Sequence, residues 1–87
     1  MTAGCAGWEP IGGFSSPGEF ERFKRWIEEP VLEGTAERVP VDPEWRDANP
    51  LLEEWFRCRE TGQIWRLLLP DPPSRGSFTR IRPHVHV

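Results

Sequence analysis

The sequence predicts an α+β domain, with one N-terminal amphipathic helix packed on a small antiparallel sheet of about three strands. Ten prolines and eight glycines among 87 residues gather in residues 4–18, 40–50 and 70–76, leaving two segments free for regular structure. The first segment repeats apolar residues at spacings of three and four, and the second alternates with period two. A chain of this length is expected to form one domain, residues 1–87, burying only about 60–65 % of its unfolded surface.

The helix has a readable start. Ser16, Pro17 and Glu19 have the order of a capping box with proline at the first helical position: the Ser16 hydroxyl accepts a first-turn amide and Glu19 reaches back. Phe20, Phe23, Ile27 and Val31 then form an apolar stripe flanked by Trp26 and Pro30, with Glu21, Arg22, Arg25, Glu28 and Glu29 on the other side. Pro30 removes an amide and crowds the carbonyl four residues back, at a cost of about 3 kcal/mol in a helix interior. A kink or break is therefore expected near Glu29, and Gly34 is expected to end the last turn. Residues 1–13 offer little periodicity and are expected to be flexible, with Trp8, Ile11 and Phe14 the candidates for folding back onto the core.

Residues 37–42 alternate as a short strand that Pro40 confines to a sheet edge, and residues 42–52 form a Pro- and Asp-rich connection. Period-two alternation on both sides of Glu60-Thr61-Gly62-Gln63 predicts a hairpin over residues 53–69. With Thr61-Gly62 as a two-residue turn, Cys58 faces Trp65 and Phe56 faces Leu67. One face then carries Phe56, Cys58, Trp65, Leu67 and Leu69, and the other Trp55, Arg57, Arg59, Ile64, Arg66 and Leu68. A glycine bulge at Gly62 would change the partners but keep each strand's alternation. After a stiff loop over residues 70–76, residues 77–82 predict a further strand, and residues 83–87 an extended, flexible tail.

No apolar run approaches the ~20 residues that cross a bilayer, and residues 1–8 have neither the basic start nor the hydrophobic middle of a secretion signal. A soluble, cytoplasmic protein is expected. Two cysteines are too few for a disulfide framework, so both are expected to be reduced, with Cys58 a small apolar core residue.

Chemistry-bearing patterns are weak. Residues 58–62 have the form of a zinc knuckle in which threonine replaces the second cysteine; one thiol cannot make that site, and His84 and His86, the other soft donors, lie in the tail. Nucleophilic catalysis at Cys58 or a serine would need a positioned histidine, and both histidines lie within four residues of the end. The pairs Glu28-Glu29 and Glu53-Glu54 are sequence neighbours that do not face each other, and Gly12-Gly13 opens no phosphate-binding strand-to-helix unit. The expectation is a non-enzymatic protein with no catalytic residues, no metal and no cofactor.

Charge is segregated: residues 1–54 hold twelve acidic and five basic side chains, residues 55–87 two acidic and six basic. Two candidate partner-binding surfaces follow. One is the sheet face with Trp55, Arg57, Arg59 and Arg66, because arginine and tryptophan are enriched at interface hot spots. The other is the acidic helix with Glu21, Glu28 and Glu29, joined by Glu33. The plainer alternative for the arginines is that their stems cover the sheet while their charges pair with helix carboxylates. Aromatics amid arginines also stack bases and hold phosphates, although a net charge of −3 and a single lysine disfavour a nucleic acid partner.

The segments Trp55-Phe56-Arg57-Cys58, Thr61-Gly62 with Trp65-Arg66-Leu67, and Pro70-Asp71 with Pro73 and Gly76 resemble the hairpin-plus-loop of small bacterial proteins found in toxin-immunity loci. The resemblance covers about a third of the chain. It implies an immunity-type protein that binds a cognate toxin domain tightly and covers its active site, and it carries over no functional residue. An acidic helix would suit a basic toxin, since charge complementarity speeds encounter.

Overall fold

The computed structural model describes residues 5–42, 44–45 and 49–82. A 3-10 turn at Cys5–Gly7 precedes helix α1 (Pro17–Glu33) and strands β1 (Ala36–Val39), β2 (Glu53–Cys58), β3 (Ile64–Leu68) and β4 (Ser77–Ile81). The strands form one antiparallel sheet in the order β1-β2-β3-β4. The class is α+β as expected, with four strands rather than about three. The short β1 is an edge strand that stops at the residue before Pro40, which has no amide to donate.

Both ends of α1 are capped by side chains and backbone that the sequence supplies locally. Ser16 Oγ accepts the Glu19 amide at 3.1 Å, and the Glu19 carboxylate accepts the Ser15 amide at 3.0 Å. At the far end Gly34 adopts a left-handed φ of 85°. Its amide donates to the Val31 carbonyl at 3.2 Å and the Thr35 amide to the Pro30 carbonyl at 3.0 Å, the paired bonds of a Schellman ending. The break expected at Pro30 does not occur, and α1 continues to Glu33. Pro30 is buried and its carbonyl accepts both the amide and the hydroxyl of Thr35, so packing and the C-terminal cap offset the missing amide.

The core lies between α1 and one sheet face. Ala36, Phe56, Cys58, Trp65, Leu67 and Phe78 are buried on that face beneath Ile27, with Phe20, Phe23 and Val31 packed against them. Trp65 stacks on Phe78 with centroids 4.8 Å apart, and Phe23 lies 4.9 Å from the same ring. Ile81, out of phase with Phe78, belongs to the opposite face, where it pairs with Ile64.

The N-terminal segment folds back where expected, with Trp8 and Phe14 buried in the core and Ile11 packed against it, and Cys5, which was not among the candidates, is buried with them. Trp8 meets Trp65 edge-on at 5.9 Å and Phe78 at 5.4 Å. Ile11 exchanges two backbone hydrogen bonds with Phe78, at 2.7 and 2.9 Å, and the Phe14 amide donates to the Arg75 carbonyl at 3.0 Å. Aromatic area outweighs the low periodicity of this segment. Residues 1–4 and 83–87, also expected to be flexible, lie outside the described residues.

The hairpin register also differs. Phe56 faces Trp65 and Glu54 faces Leu67, because the loop spans four residues, 59–62, closed by bonds from Cys58 N to Gln63 O and from Gly62 N to Cys58 O. Gly62, at φ 75°, takes the left-handed position that loop needs. A shift of two leaves every side chain on its expected face. At Gly76, φ 72°, an added Cβ would lie 2.4 Å from the Leu68 carbonyl oxygen, so only glycine lets the 70–76 loop return onto β3.

Candidate functional site

Alternation along β2 turns Glu53, Trp55 and Arg57 away from α1, beside Arg66 and Ile64 of β3 and Glu37 of β1. The connection between β1 and β2 lays Trp45 over this outer face. Trp45 meets Trp55 edge-on at 5.6 Å, and the Arg66 guanidinium lies 4.8 Å from the Trp45 ring centroid. Glu53, only 2 % exposed, is the hub. Its two oxygens accept Arg66 Nε and Nη2, both at 2.9 Å, the Trp55 indole N–H at 2.6 Å and the Asn49 amide at 2.8 Å. A buried carboxylate stays charged only with donors of this number and kind. Burial pushes the Glu53 carboxyl up, but Arg66, the Asn49 amide and the Trp55 indole together hold it below the ordinary value of 4.5.

A second charged cluster joins the helix to the sheet. Lys24 and Arg38 both bind Glu54, and Arg38 also binds Glu28 while lying 5.4 Å from the centroid of the Phe56 ring. Burial raises the Glu54 carboxyl and the two cations outweigh it, again leaving it depressed. Because both folded-state values lie below the unfolded ones, this stabilisation is complete above the ordinary value of 4.5 and is lost as pH falls through the depressed values. Urea unfolding at a series of pH values is expected to give a stability that is flat from neutrality to about 5 and drops steadily below 4.5. A curve flat to pH 3 would contradict these assignments.

Arg57 Nη2 and Arg59 Nε converge on Glu37 Oε2 at 2.6 and 3.0 Å. The hydrogen bond from Arg57, partly opposed by desolvation, holds the Glu37 carboxyl below its ordinary range. These three residues, with Cys58 and Gly62, bound an open cleft of about 610 Å³.

The sheet-face candidates thus separate. Trp55 is buried beneath Trp45 and offers no contact surface, a correction to its expected exposure. Arg66, its side chain 16 % exposed, is held within the Glu53 network, while Arg57 and Arg59 remain about half exposed. Trp45 and Glu37 were not singled out by sequence pattern, and Glu53 only as half of a neighbouring acidic pair, since Trp45 sits in an aperiodic connection and a glutamate on a strand carries no signal of burial.

The helix candidates separate as well. Glu28 is engaged with Arg38, whereas Glu21 and Glu29 are exposed and make no ion pair among the described residues. One turn before Glu29, Trp26 is 45 % exposed, although its ring contacts Trp8 and Phe23. Trp26, Phe23, Ile11, Pro10 and Glu9 line a groove of about 340 Å³. A larger apolar groove, about 510 Å³, runs between Phe14 and Phe20 on one side and Leu69, Pro70, Pro72 and Pro73 on the other.

Cys5 and Cys58 form a disulfide, with Cα atoms 5.5 Å apart and a sequence separation of 53, correcting the expectation of two reduced thiols. Cys5 reaches Cys58 because the N-terminal segment docks, which spacing alone does not reveal. Around the bond, Cys5 Sγ lies 3.3 Å from the Thr35 carbonyl oxygen and 4.0 Å from Glu60 Oε1.

No protein-family model matches the chain, and neither a curated protein nor a solved structure is significantly similar to it. Among the described residues, no helix is long and apolar enough to cross a membrane.

Proposed function

We propose that this chain is a non-enzymatic protein-binding domain, an immunity-type inhibitor that docks a basic toxin domain through the acidic side of α1 around Trp26. The observation that carries this reading is the charge of the helix's last turns. Glu28, Glu29 and Glu33 stand there with no basic residue in the final turn, where the helix dipole favours cations. Local stability alone would favour lysine. An exposed tryptophan near the exposed carboxylates of Glu29 and Glu33 supplies both an anchor and a steering field. The sheet face has less support, because Trp55 is covered and the arginines around it already hold carboxylates. The same two facts weigh against base stacking.

The test is the double variant Glu29→Lys/Glu33→Lys. Removing charges that oppose the dipole is expected to raise unfolding stability slightly, by about 0.3–1 kcal/mol per site. Binding to a basic toxin domain encoded beside this chain, measured by calorimetry, is expected to weaken at least about tenfold. Arg57→Gln/Arg59→Gln is expected to leave affinity unchanged. The reverse pattern would sink the helix reading and move the site to the sheet.

A further inference from the structure

We propose that Cys5, Cys58 and Glu60, together with the Thr35 carbonyl, form a site for a tetrahedral divalent cation of the zinc type whenever the Cys5–Cys58 bond is reduced. Ligand atoms of the three side chains lie within 4.8 Å of one another, and the Thr35 carbonyl oxygen is 3.3 Å from Cys5 Sγ. All four are electron-pair donors. Two thiolates, a carboxylate and a carbonyl make the mixed sulfur and oxygen set that a borderline-soft, geometrically undemanding ion accepts.

To admit a cation, the reduced sulfurs must part to about 3.7 Å, the span set by metal–sulfur bonds of about 2.3 Å at a tetrahedral angle. Cys5 can supply that movement. The Trp8 amide donates to the Cys5 carbonyl within the segment itself, and among the described residues the first backbone bond to the sheet comes at Ile11. Cys58 is fixed by its pairing with Ala36 and its bond to Gln63, and Glu60 is an exposed residue of the four-residue loop. Two thiolates and a carboxylate around a divalent ion leave a net charge of −1. Arg57 and Arg59, which among the described residues share Glu37 as their one carboxylate, provide one compensating positive charge in the cleft that borders Cys58.

The site would give the N-terminal segment a second staple. Reduction by a phosphine takes up two protons and two electrons at the cystine and leaves two thiols and the phosphine oxide, with water supplying the oxygen and both protons. The thiols then lose their protons as the cation binds. Under oxidising conditions the covalent bond holds Trp8 over Trp65 and Phe78, and under reducing conditions the cation does. This inference does not depend on the helix being a docking surface.

Cobalt(II) is the probe. Titrated into the full chain reduced by a phosphine, it is expected to give a thiolate-to-cobalt charge-transfer band and strong tetrahedral d–d bands, both abolished by one equivalent of zinc. The native near-ultraviolet dichroism should be retained or restored. The oxidised chain should give neither band. Glu60→Gln leaves the disulfide intact, so its fold can be verified in the oxidised form, and after reduction it is expected to bind cobalt at least about tenfold more weakly. Cys5→Ser is expected to lose about half of the charge-transfer intensity. No thiolate band in the reduced chain, a band without native dichroism, or undiminished affinity in Glu60→Gln would overturn the proposal.

Discussion

Reducing the Cys5–Cys58 bond in the presence of a chelator is expected to lower the unfolding free energy by about 4 kcal/mol, the chain-entropy value for a loop of some 53 residues. Native domains of this size are stable by roughly 5–15 kcal/mol, so the loss removes a large part of the total. The mechanism acts mainly on the unfolded chain, whose freedom the crosslink restricts. Urea midpoints of the oxidised and reduced forms measure it directly. Cys5→Ser/Cys58→Ser should behave like the reduced protein and ignore added reductant. A difference below about 1 kcal/mol would mean that the docked N-terminal segment already confines the unfolded ensemble.

Glu53→Ala is expected to cost about 3–5 kcal/mol, the range for removing one partner of a buried ion pair. Three donors lose their acceptor together: the Arg66 guanidinium, the Trp55 indole and the Asn49 amide. The guanidinium beneath Trp45 then loses the carboxylate that it binds through two nitrogens. The double variant Glu53→Leu/Arg66→Met should recover much of the loss, since apolar replacement of a whole buried pair is often neutral. Thermal unfolding of the parent chain, Glu53→Leu, Arg66→Met and the double variant reads the coupling between the two residues. Additive single-site effects would contradict a hub at Glu53.

What was legible in the sequence was local. Ser16, Glu19 and Gly34 declare the ends of α1 because capping involves residues only a few positions apart. The two faces of the hairpin follow from alternation alone, and they survived a register shift of two. The register was not legible, because the length of the 59–62 loop depends on how Gly62 closes it. Pro30 misled for a related reason: its ring is buried and its carbonyl is doubly bonded, which are tertiary facts. Cys5, Trp8 and Ile11 reach their partners across more than fifty residues, a distance over which no pattern carries. Within the candidate site, the exposed carboxylates of α1 were readable as such, whereas the covering of Trp55 by Trp45 depended on the path of an aperiodic connection.

One consequence lies at the margins of the sheet. β1 is cut short by Pro40, and β4 has its outer side taken at Phe78 by Ile11. Neither margin presents a long ladder of open amides and carbonyls, the template on which chains recruit one another into fibrils. The cover on β4 hangs from the same short segment that Cys5 anchors six residues earlier. Whatever loosens that anchor also bares a strand, so resistance to aggregation in this protein is a property of its N-terminal dozen residues as much as of its surface charge.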